Sequence, residues 1–133
     1  MLVTDTNILL RCSIGRAMRH VAALVERGVV LATTDRNAAE MLDRLVEKFG
    51  VGEAEAAAEV RRALAPFVVL STNEYQGFAA AADGRLREGG KPDWPVLAAA
   101  MALEAEIWSE DTDFFGVGVP VWSTPNVRFA EAG

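Results

Sequence analysis

Short apolar segments at positions 2–4, 29–33, 67–70, 107–109 and 119–123 alternate with stretches whose apolar residues recur at helical spacing. That alternation constrains the fold more than any other feature of the chain. A strand followed by a helix and another strand makes a crossover, so the strands run mainly parallel in a central sheet with helices on both faces. The first helical stretch, 16–27, carries Val21, Leu24 and Val25 on one face and closes at Gly28. The second begins near Ala38, places Met41, Leu42, Leu45, Val46 and Phe49 in one stripe, and ends at Gly50. A third covers 52–65 and stops at Pro66. Ser71 and Glu74 have capping-box spacing and open a fourth, running to about Leu86. Pro92-Asp93-Trp94-Pro95 introduces a fifth, over 96–105, and residues 126–133 read as a mobile tail. No linker or repeat divides the 133 residues, so positions 1–133 are expected to form one domain.

In open parallel sheets, ligands sit beyond the carboxyl ends of the strands. Asp5 ends the first strand, and Ser-Glu-Asp111-Thr-Asp113-Phe-Phe follows the fourth. If Asp93, at a helix entrance, and one acid of the second helix point the same way, several carboxylates share a cleft. Like charges that close raise one another's pKa and oppose folding unless a cation joins them. Oxygen donors, with a single cysteine (Cys12) and a single histidine (His20), favour magnesium or manganese over zinc. The lone cysteine also excludes an intrachain disulfide and fits a reducing cytoplasm, and the N-terminus has no secretory pattern. No apolar stretch is long enough for a membrane span. The net charge of −6 argues against a protein that coats nucleic acid by bulk electrostatics, and the deficit lies wholly after Pro66.

Each of these acids also has a plainer reading. Asp5 could bond the backbone of a turn through Asn7, and Asp93 could simply cap its helix. Asp111 and Asp113 could be polar residues of a surface loop. On a helical wheel Glu40 falls opposite the apolar stripe, with Asp43 and Glu47, and Asn37 with Glu40 has capping-box spacing. Arg11, Arg16 and Arg19 near the first acid, and Arg85, Arg87 and Lys91 before the third, could hold phosphates or remain solvated.

Four fragments in order resemble the PIN domains, and among them the small toxin-like ribonucleases of VapC type. They are Val-Thr-Asp5-Thr-Asn, Ala-Ala-Glu40-Met-Leu, Pro-Asp93-Trp-Pro-Val-Leu-Ala-Ala-Ala-Met-Ala and Ser-Glu-Asp111-Thr-Asp113. The resemblance spans essentially the whole chain and implies a three-layer α/β fold. It implies a magnesium- or manganese-dependent ribonuclease acting on single-stranded RNA, a frequent homodimer, and an antitoxin that covers the cleft. It matches Asp5, Glu40, Asp93 and Asp111 to the family's catalytic acids, with Asp43 as a substitute for Glu40. Asp5, Asp93, Asp111 and Asp113 would hold metal, supported by Thr6 or Asn7, and Arg11, Arg16, Arg19 and Lys91 would contact RNA. The competing expectation is an inactive PIN-like module that binds RNA or a protein. A phosphoacceptor domain is disfavoured, because no pair of adjacent acids follows the first strand and no lysine follows the last.

Overall fold

The computed structural model describes residues 1–132. Five strands form one sheet: β1 (Leu2–Thr4), β2 (Leu31–Thr34), β3 (Phe67–Leu70), β4 (Glu106–Trp108) and β5 (Val121–Trp122). Their order is β3-β2-β1-β4-β5 and every pairing is parallel, with Leu2 beside both Leu31 and Glu106. Parallel strands buried on both faces are apolar throughout, which is why β1 and β4 carry such short, dense apolar runs.

Side-chain alternation along each strand divides the core in two. Leu2, Leu31, Phe67 and Trp108 face one layer, made by α1 (Thr6–Ser13), α2 (Met18–Glu26), α3 (Asp35–Glu47) and α4 (Glu53–Leu64). Val3, Ala32, Leu70 and Ile107 face the other, which holds α5 (Thr72–Tyr75), α6 (Ala79–Arg85) and α7 (Trp94–Leu103). Helix, sheet and helix make three layers, as expected. Helix α7 is apolar all round, with Pro95 through Ala100 buried, because it packs under the sheet centre. Among the described residues, no helix is long and apolar enough to cross a membrane.

Several boundaries shift by one to three residues from the sequence reading, and four differences have a physical reason. Residues 6–13 form a helix that the pattern hides, since Ile8, Leu9, Leu10 and Cys12 are all buried and only Asn7 and Arg11 mark its exposed side. Helix α3 starts three residues before Ala38, because Thr34 caps it by accepting from Asn37 N at 3.1 Å. Asn37 is therefore inside the helix and is not the cap of a box with Glu40. Ser71 N does donate to Glu74 Oε2 at 2.7 Å, but the helix so begun tightens into a 3-10 turn at Gln76–Phe78 before α6. Finally, the segment read as a tail is packed as far as Ala130. Val127 and Ala130 are buried, and the Arg27 guanidinium donates to the carbonyls of Arg128 and Ala130. The end of the tail, Gly133, lies outside the described residues.

Candidate active site

The strand order reverses at β1, whose neighbours β2 and β4 are reached by chain leaving in opposite directions. A crevice opens at such a point, beyond the carboxyl ends of β1 and β4. Strand β1 delivers Asp5 there, and β4 delivers the segment from Ser109 to Asp113.

Asp5 is nearly buried and caps α1, with Oδ1 accepting from Ile8 N at 3.1 Å. Its other oxygen accepts from Ser109 Oγ, which in turn accepts from Asp111 N at 2.9 Å. Asp111 then caps the 3-10 turn Thr112–Phe114 by accepting from Asp113 N at 2.9 Å. One serine hydroxyl thus couples the first strand's acid to the fourth strand's loop.

Asp93 arrives from the other helical layer, at the end of a 3-10 segment, Glu88–Asp93, and at the cap position of α7. It makes no capping bond there, so helix capping does not account for its carboxylate. That carboxylate turns instead toward Asp111 and Asp113, and the three contribute oxygens within 4.8 Å of one another. The close approach depends on Gly90, where a Cβ would lie 2.8 Å from the Cβ of Asp113. Arg87 fastens the same two segments, donating from Nε to Asp113 Oδ1 at 2.8 Å and from Nη2 to Thr112 Oγ1 at 3.1 Å.

The cleft is lined by Asp5, Thr6, Asn7, Arg36, Asn37, Glu40, Arg44, Pro92, Asp93, Trp94, Pro95 and Asp111. Glu40 therefore faces the cleft although it lies on the polar side of α3, since the first turns of that helix border the crevice. It pairs with Arg44 at 3.1 Å, and Arg44 also donates to Asn7 Oδ1 at 2.9 Å. Asp43 lines a different depression, with Glu47 and Glu53. Thr6 Oγ1 accepts from Asn37 Nδ2 at 2.9 Å. Of the cations named from sequence, Arg11 borders an adjoining hollow with Asn7, Arg44 and Asp111. Lys91 is engaged by Asp83, while Arg16 and Arg19 line neither the cleft nor that hollow. His20 stands edge-on to Trp108 at 6.4 Å, outside the cleft.

Burial, followed by the charge of Asp111, pushes the Asp93 carboxyl up to about 7, with Asp5 and Asp113 adding to the effect. Burial likewise raises Asp5, against the hydrogen bonds from Ser109 and Ile8. The donors are all carboxylate oxygens, the set that hard divalent cations such as magnesium and manganese prefer. The site's cost in repulsion is the kind a cation removes, so the residues present fit such an ion.

A pH dependence follows. Between the ordinary aspartate range and about 7, folded Asp93 holds a proton that the unfolded chain has released. Stability of the metal-free protein is therefore lost as pH rises through about 7 and recovered as pH falls. In chelator, the wild-type melting temperature should rise from pH 8 to pH 5 more steeply than that of Asp93→Asn, which should melt higher at pH 8. His20, lowered by burial, opposes this trend in both proteins and cancels in the comparison. Parallel melting profiles for the two would contradict the clustering.

Ser109, Gly90 and Arg36 belong to the site's construction without a role read from sequence, whereas Arg87, expected as a phosphate contact, is engaged by Asp113 and Thr112, and Asn37, expected to cap with Glu40, donates to Thr6. Ser109 directly precedes Glu110 and Asp111 in the chain, and Gly90 follows Gly89. Their partners, however, are up to 104 residues away and only the topology joins them.

No curated protein matches this sequence significantly. Among solved structures, a toxin-antitoxin complex from Klebsiella pneumoniae contains a chain with a TM-score of 0.68 and 22% identity, covering 93% of this chain and 98% of that one. A structure of VapBC2 from Rickettsia felis bound to a DNA fragment from their promoter contains another, at TM-score 0.70 and 12% identity, covering 92% and 97%. At those identities the likeness concerns the fold. The family model described as PIN domain matches residues 3–132, from the first strand through the packed C-terminal segment. That match takes in every strand of the sheet and every acid gathered at its centre, and the chain belongs to the PIN-domain family.

Proposed function

We propose that this protein is a divalent-metal-dependent endoribonuclease that hydrolyses phosphodiester bonds of single-stranded RNA. We further propose that it is a homodimeric cytoplasmic toxin restrained by an antitoxin partner. The observation that carries the catalytic reading is Asp93. It occupies a helix cap without capping and points its carboxyl, pushed up to about 7, at Asp111 and Asp113.

Asp5, Asp93 and Asp111 would hold a magnesium or manganese ion, with Asp113 as a further oxygen donor; bound, the ion would lower the pKa of the attacking water and offset charge on the phosphate. Ser109 fixes Asp5 and Asp111 relative to one another through one hydroxyl. Arg87 and the bare backbone of Gly90 hold Asp93 against the Asp111–Asp113 turn. Glu40, Thr6 and Asn7 line the opposite wall, tied together by Arg44 and Asn37. A histidine-based cleavage through the RNA 2′-hydroxyl has no support, because His20 packs against Trp108 away from the cleft. Covalent catalysis by thiol is equally poorly served, since burial pushes the Cys12 thiol up to about 11.

The test is cleavage of an unstructured RNA by the purified chain. Manganese or magnesium should support it and EDTA should abolish it, with activity returning when metal is restored. Cleavage that persists in EDTA would overturn the reading. The same melting experiment run with manganese should raise the transition temperature, as binding to the folded state alone requires.

A further inference from the structure

Two arginines, Arg36 and Arg44, line the cleft, and Arg87 stands beside its acids. Arg44 is committed to Glu40 and Asn7, and Arg87 to Asp113 and Thr112. Arg36 differs. It lines the same cleft, is exposed, and among the described residues its guanidinium pairs with no carboxylate. Its neighbour Asp35 is not available to it. Asp35 already accepts from Tyr75 OH and the Arg36 amide on one oxygen, and from the Thr72 amide and hydroxyl, at 2.9 and 2.7 Å, on the other.

The guanidinium is nonetheless held in place. Its Cζ lies 5.2 Å from the centroid of the Trp94 ring. Trp94 is backed by Tyr75, ring centroids 5.7 Å apart, and Tyr75 returns to Asp35. The circuit Asp35–Tyr75–Trp94–Arg36 therefore closes on itself and fixes a cation one residue from Asp93. A guanidinium lying on an aromatic face keeps its in-plane N–H fork free, and that fork matches two phosphate oxygens. Fixing it beforehand reduces the entropy lost on binding. A cleft whose other wall is acidic needs such a group if it is to admit a polyanion.

We propose that Arg36, held on the face of Trp94, grips a phosphate of single-stranded RNA next to the bond being cut. This rests on the nuclease reading above and names the contact that sets substrate register in the same cleft. Trp94 is the positioning residue, acting through Arg36.

The experiment measures manganese-supported cleavage kinetics and, with calcium replacing manganese, equilibrium binding of a fluorescent single-stranded RNA over a salt series. Arg36→Gln should raise KM and weaken binding roughly tenfold, the share of one charge-assisted contact. Its kcat should stay within about twofold. The slope of log affinity against log salt should fall by about 0.7, one phosphate contact on a single strand. Arg36→Lys should restore the slope without restoring full affinity, and Trp94→Leu should weaken binding while leaving the slope alone. Manganese should raise the melting temperature of all three as it does the wild type, and Arg61→Gln on α4 should behave as wild type throughout. If the wild type cleaves RNA while Arg36→Gln keeps its KM and salt slope, or loses only kcat, the phosphate assignment fails and the nuclease reading survives. If the wild type neither binds nor cleaves RNA, both fall.

Discussion

Asp5→Asn lowers manganese-supported RNA cleavage by about two orders of magnitude or more, while the metal-free protein melts no lower than wild type. The two halves of this expected result have one cause. Asp5 is nearly buried, and burial raises its pKa, so its ionised form is costly in the absence of a cation. Asparagine keeps the shape and caps a helix as well as aspartate does, so the bond from Ile8 N survives and so does a partner for Ser109. What it cannot supply is the negative charge that draws a divalent ion into the crevice. Loss of one anionic ligand costs on the order of 3 kcal/mol in transition-state stabilisation, or about 100-fold in rate. A merely structural aspartate would give the reverse pattern, with lower stability and activity lost only in proportion to unfolding. Cleavage assays beside thermal melts in EDTA separate the two, and full activity in Asp5→Asn would refute the assignment. Glu40→Gln provides the contrast. Its carboxylate is half-exposed and already paired with Arg44, so its loss should cost less than that of Asp5.

How much of this is legible in the sequence depends on the range of the interaction concerned. Alternating apolar segments require crossovers, crossovers require a parallel sheet, and the sheet brings strand-end acids together. Asp5 and Asp111 were legible by that route. Asp93 was legible only as a residue with two possible roles, and the unmade capping bond removes the plainer of them. Glu40 was misleading, because a helical wheel distinguishes the core side from the polar side but cannot tell open solvent from a cleft. Helix α1 was hidden because it is eight residues long and shows only Asn7 and Arg11 to solvent, so the plainer alternative for Asp5 was a turn, whereas its backbone contact is a helix cap. Arg87, Gly90 and Ser109 act across sequence gaps of 26, 23 and 104 residues. No local pattern encodes such pairings, and they become visible only when the two helical layers meet at the sheet's end.

Trp108→Ala should be among the most destabilising single changes in the molecule, lowering stability by about 3–5 kcal/mol. Trp108 is fully buried at the end of β4, between β1 and β5, and belongs to the core beneath α1 and α2. Truncation leaves a cavity between the sheet and the helices α1 and α2, which cannot collapse without displacing one of those layers. It also deprives Thr124 Oγ1 of the indole N–H at 3.1 Å. For a domain of this length the melting temperature should fall by roughly 10–20 °C. Trp122→Ala is the control. Trp122 is paired directly with Trp108 across the sheet, but it is only half-buried on the two-residue edge strand. Its indole reaches Glu106 Oε1 at 2.7 Å, where water can replace it. The edge substitution should cost less than half as much, and equal losses by calorimetry would show that the core is not organised around β4. The consequence extends to the cleft, because Ser109 is the next residue and its hydroxyl orients Asp5 and Asp111. Where Trp108→Ala remains folded at low temperature, manganese should therefore raise its melting temperature by less than it does for wild type. Trp122→Ala should keep the full metal response, since its ring lies beyond the strand that carries the acids.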